Sequence, residues 1–65
     1  MKYYAEACTK QGKVFDTMEA DRKFEIRLWS QARHADLVNL YQNNNDGTLT
    51  RLEVWTYDHG TGNRK

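Results

Sequence analysis

Tyr41 to Asp58 reads YQNNNDGTLTRLEVWTYD, a block of turn-formers followed by a run in which bulky and polar residues alternate. Asp46 and Gly47 can reverse the chain, because glycine takes positive φ without a Cβ clash and aspartate bonds its own backbone in a turn. The residues that follow favour an extended backbone: Thr48, Thr50, Val54 and Thr56 are β-branched, and Trp55 and Tyr57 are aromatic. On a pleated strand Leu49, Arg51, Glu53, Trp55 and Tyr57 share one face, and Thr50, Leu52, Val54 and Thr56 the other. With Leu52 and Val54 turned inward, the rings and Arg51 are expected to point away from the core.

The same stretch supports a second reading. Over the twelve residues Gln42 to Glu53, Asn44, Asp46, the Thr48 carbonyl, Thr50 and Glu53 fall at loop positions 3, 5, 7, 9 and 12, with Gly47 at position 6. In that register the segment resembles the calcium loop of EF-hand proteins. The resemblance implies a calcium ion held by Gln42, Asn44, Asp46, Thr48 and Glu53. It departs from the family at Gln42, where an aspartate is usual, and in the exiting segment VWTYDHG, which is made of strand-formers and ends at Gly60. A simple turn between two elements remains the plainer reading.

Upstream, Ser30 to Gln42 places Leu37, Val38, Leu40 and Tyr41 on one arc of about 160° at helical spacing. Ser30 is a suitable N-cap, and the asparagine run followed by Gly47 a suitable stop. A helix is therefore expected over 30–42, with a strand DLVNLYQ pairing across the Asn-rich turn as its rival. Phe24 to Trp29 alternates with a period of two, so a strand is expected there, Phe24, Ile26 and Leu28 facing the core. Glu19 to Lys23 reads as a charged turn, with a helical extension from Thr17 as the alternative.

Lys2–Lys10 and Lys13–Glu19 both alternate and are separated by Gln11 and Gly12, as in a hairpin. Tyr3, Ala5, Ala7 and Thr9 form the better inward set of the first run. The whole gives an α+β fold of order βββαβ, a small antiparallel sheet with one helix on one face; a five-stranded β meander or half-barrel is the alternative. A single domain is expected over 1–59, with a flexible tail at 60–65.

Composition narrows the function. A chain of 65 residues with eight aromatics holds one thin core. Ten basic against nine acidic residues leave a net charge of +1, which gives no electrostatic footprint for nucleic acid. The lone Cys8 cannot form an internal disulfide, so a reducing, cytoplasmic setting is expected. No apolar run has the length of a membrane span, and none has the character of a secretory signal. One cysteine and two histidines, His34 and His59, do not make a structural zinc set. Cys8 has no base beside it in sequence, no carboxylate pair stands out, and the glycines do not form a phosphate loop. The chain reads as non-enzymatic, with no cofactor.

A surface remains. If the last strand turns its rings outward and neighbours the strand at 24–29, then Arg27, Trp29, Arg51, Trp55 and Tyr57 form one stripe of the residue types that anchor protein interfaces. The expected function is a small protein-binding module that masks a surface of a larger protein or complex, as a phage- or mobile-element-encoded inhibitor would. A homodimer through the same face is compatible. Single-stranded nucleic acid bound by the same rings and guanidinium groups is the less favoured alternative.

Overall fold

The computed structural model describes residues 1–57. The tail expected at 60–65, the end of the domain expected to close at residue 59, and His59 lie outside the described residues. Four strands and one helix follow in the order β1 (Tyr3–Cys8), β2 (Val14–Ala20), α1 (Lys23–Ala32), β3 (Leu37–Asn43) and β4 (Leu49–Thr56). The strands form one sheet in the spatial order β2-β1-β3-β4, every neighbouring pair antiparallel. Hairpins join β1 to β2 and β3 to β4, while α1 carries the chain from β2 across β1 to the parallel strand β3.

The α+β class and the antiparallel sheet agree with the sequence, but the order is ββαββ rather than βββαβ. The helix lies on 23–32, where a strand was expected, and a strand lies on 37–43, where the helix was expected. Two physical facts explain the exchange. Lys23, Glu25, Arg27, Leu28, Gln31 and Ala32 are good helix formers, and no glycine or proline interrupts them. In the helix Ile26 and Ser30, four apart, are buried, whereas Phe24 and Leu28 are exposed at 54% and 60%. Leu37–Asn43, in turn, pairs with β1 on one side and β4 on the other, which satisfies its backbone on both edges.

Directly paired residues share a face of the sheet, so the register fixes both faces. The covered face has the rows Ala20, Tyr3, Gln42, Thr50; Met18, Ala5, Leu40, Glu53; and Asp16, Ala7, Val38, Trp55. Helix α1 packs on this side, and the core consists of Ala5, Ala7, Ala20, Ile26, Ala35, Val38 and Leu40. The alanines bring helix and sheet close together. Tyr3, Met18, Trp29, Trp55 and Tyr57 rim that core, partly buried.

Both edge strands slip register once. Asp16 opposes Ala7 but Val14 opposes Cys8, leaving Phe15 over; Glu53 opposes Leu40 but Arg51 opposes Tyr41, leaving Leu52 over. An extra residue in an edge strand turns the following side chains to the other face and spoils the edge as a template for further pairing. The second slip puts Arg51 and Glu53 on opposite faces, which strict alternation cannot do.

Candidate functional site

The face of the sheet away from α1 has no element over it among the described residues. Its rows are Glu19, Tyr4, Tyr41, Arg51; Thr17, Glu6, Asn39, Val54; and Val14, Cys8, Leu37, Thr56. A polar network occupies its centre. Glu6 Oε1 accepts hydrogen bonds from the Tyr41 hydroxyl and from Asn39 Nδ2, each at 3.2 Å. Asn39 Oδ1 accepts from Arg51 Nη2 at 3.1 Å, and Asn39 Nδ2 also reaches Cys8 Sγ at 3.6 Å. The Tyr4 and Tyr41 rings lie side by side at 5.9 Å, tilted by 42°. Val14 and Val54 flank the network, exposed at 42% and 43%.

The environment bears on two titrating groups. Burial pushes the Tyr41 phenol above its ordinary pKa, the Glu6 charge and hydrogen bond push it further, and Arg51 opposes them more weakly. Cys8 is buried, and burial followed by the Glu6 charge raises its thiol pKa. Both effects hold the thiol protonated near neutral pH, where it is a weak nucleophile.

The five residues expected to form one stripe are divided. Arg51 alone lies on the open face. Trp55 follows the opposite alternation, on the covered side, where it packs against the core and carries the Arg27 guanidinium 4.6 Å above its ring. Its Nε1 donates to Glu53 Oε1 at 2.7 Å, and Glu53 Oε2 takes Lys23 at 2.7 Å. Tyr57 also packs against the core, its hydroxyl 2.8 Å from the buried Ser30 Oγ. Trp29 is on the helix, about 200° round from Arg27, so these two occupy opposite flanks of α1 rather than one side of a strand. The orientation expected for the last strand was inverted: Leu52 and Val54, expected inside, are exposed, and Trp55 is the partly buried residue.

The expected calcium loop is a hairpin between two strands. Asn45 and Gly47 take positive φ, 63° and 92°, at its tip. Asp46 accepts from the Thr48 amide and hydroxyl at 3.0 and 2.6 Å, and Asn44 Nδ2 donates to Thr48 and Thr50. Glu53 turns to the covered face and pairs with Lys23, away from Asp46 at the tip. Of the five expected ligands Gln42, Asn44, Asp46 and Thr48 are joined by hydrogen bonds at the tip, while Glu53 is engaged by Lys23 and Trp55. Among the described residues no group of three or more histidine, cysteine or acidic side chains is placed to share a metal ion.

Sequence reasoning missed Tyr4, Glu6, Asn39 and Tyr41. Tyr4 and Glu6 were legible as the outward set of the first strand; Asn39 and Tyr41 were not, because their segment was read as a helix. Comparisons with protein-family models, with curated proteins and with solved structures found no match.

Proposed function

We propose that the chain is a non-catalytic protein-binding module that masks part of a larger protein through the open face of its sheet. The observation that carries this reading is an uncovered sheet face whose centre is already ordered by hydrogen bonds. Tyr41, Asn39, Glu6 and Arg51 hold one another in place before any partner arrives, so docking on them costs less side-chain entropy than docking on free chains. Tyrosine and arginine are the types enriched at interface centres, and Val14, Leu37 and Val54 supply apolar surface around them. Nucleic acid is disfavoured by charge, since the face carries Glu6 and Glu19 against Arg51, and phosphate would meet a carboxylate at its middle.

The test is capture from the native host with three tagged proteins: the unaltered chain, Tyr4→Ser/Val54→Ser on the open face, and Phe24→Ser/Leu28→Ser on the outer side of α1. A partner held by the first and third but lost by the second is the expected outcome. Retention by the open-face variant, with loss by the helix variant, would overturn the assignment. Salt-sensitive recovery of nucleic acid in place of protein would favour single-strand binding instead.

A further inference from the structure

We propose that the open face recognises an arginine of its protein partner, the guanidinium seated on the Glu6 carboxylate beside the Tyr4 and Tyr41 rings; this rests on the reading that the open face is the docking surface. Glu6 stands in the middle row of that face on a central strand, half-buried, with β3 on one side and β2 on the other. Both of its hydrogen bonds go to one oxygen, Oε1, leaving Oε2 to accept from outside. Among the described residues the ion pairs are Lys23 with Glu53 and Arg33 with Asp16, and none of their cations pairs with Glu6. A half-buried carboxylate fixed in one orientation and short of a counter-charge is complementary to a cation.

The neighbouring rings select the kind of cation. Tyr41 touches the carboxylate through its hydroxyl, and Tyr4, two residues before Glu6 on the same face, has its ring 5.9 Å from that of Tyr41. A planar guanidinium can lie over a ring while donating in its own plane to a carboxylate, which an ammonium, a compact and strongly hydrated point charge, does less well. On the opposite side of the sheet Arg27 covers the Trp55 ring at 4.6 Å, while the Glu53 carboxylate beside it is taken by Lys23 and by the Trp55 indole. Arg51 is the group that opposes a cation here. It is bonded to Asn39 rather than to Glu6, and at Tyr41 the Glu6 charge outweighs it.

The experiment is a nuclear magnetic resonance titration of the full chain with N-acetyl-arginine amide, and in parallel with the lysine and glutamine analogues. The expected result is saturable shifts confined to Tyr4, Glu6, Asn39 and Tyr41, with a dissociation constant of about 50 mM or tighter. Lysine amide should bind several-fold more weakly and glutamine amide not at all, and Glu6→Gln should abolish the shifts while keeping a folded spectrum. Absence of saturation, equal response to lysine, or shifts that survive Glu6→Gln would overturn the proposal. Should Glu6→Gln unfold, Tyr4→Ala takes its place and must weaken the arginine response, unchanged binding counting against the site. A monomer–dimer equilibrium abolished by either variant would assign Glu6 to a second copy of the chain and overturn it too. Failure here alongside open-face-dependent capture would remove the arginine and leave the docking surface; capture that ignores the open face would remove both.

Discussion

His34 ends the helix in the left-handed region, with φ at 56°. The Ala35 amide donates back to the Ser30 carbonyl and the His34 amide to Gln31, each at 3.0 Å, which is the paired bonding of a Schellman stop. Glycine is the usual residue at that point, and a side chain there costs about 1–2 kcal/mol. His34→Gly is therefore expected to be more stable than His34→Ala by about 1 kcal/mol in urea unfolding, because both remove the imidazole and only one relieves the backbone. Tyr41 supplies a second test at this scale. Its folded pKa is raised, so the stability it contributes is fully present below the unfolded value and is lost as pH rises through the folded one. Unfolding midpoints should fall on the alkaline side as tyrosine ionises, and ultraviolet titration of Glu6→Gln should show Tyr41 ionising at lower pH than in the unaltered chain.

The segment Phe24–Trp29 separates the two readings of the middle elements. On a strand Ile26 and Leu28 would share the core face; on α1 Ile26 is fully buried and Leu28 is 60% exposed. Ile26→Ala is expected to cost about 2–5 kcal/mol and Leu28→Ala less than about 0.5 kcal/mol, measured by chemical denaturation. Comparable losses at both positions would return the segment to a strand. The first hairpin and the existence of the last strand were legible from their alternation, with Gly12 and Gly47 in the turns, although the facing of the last strand was not. The middle was not, since FEIRLW satisfies a period of two as well as a helical stripe, and DLVNLYQ satisfies both as well. Nothing local separates them. The sheet does, because β3 must pair on both edges while α1 must span from one side of β1 to the other.

Across the whole molecule the core is thin. Ala5, Ala7, Ala20 and Ala35 surround only three larger aliphatics, Ile26, Val38 and Leu40. Trp29, Trp55 and Tyr57 were expected to point away from such a core, yet with Tyr3 they rim it, partly buried. That arrangement could not be read from alternation alone, because the register slip at Leu52 moves Arg51 and Trp55 to different sides. Trp55→Ala is consequently expected to destabilise the fold, by about 2–3 kcal/mol when the loss for a buried tryptophan is discounted for its exposure. In a domain of this size such a loss is a large share of the total, and thermal unfolding would show it as a fall of roughly 10 °C or more. The same packing leaves the other side of the sheet as the uncovered one, with Val54 at its middle row and Leu28 on the far side of the molecule as the natural control. Both positions are exposed, at 43% and 60%, and each can carry a photo-crosslinking phenylalanine derivative in the native host. Irradiation is expected to join one defined protein to the chain through position 54 and nothing reproducible through position 28. A crosslinked partner at 28, with none at 54, would contradict the assignment of the open face.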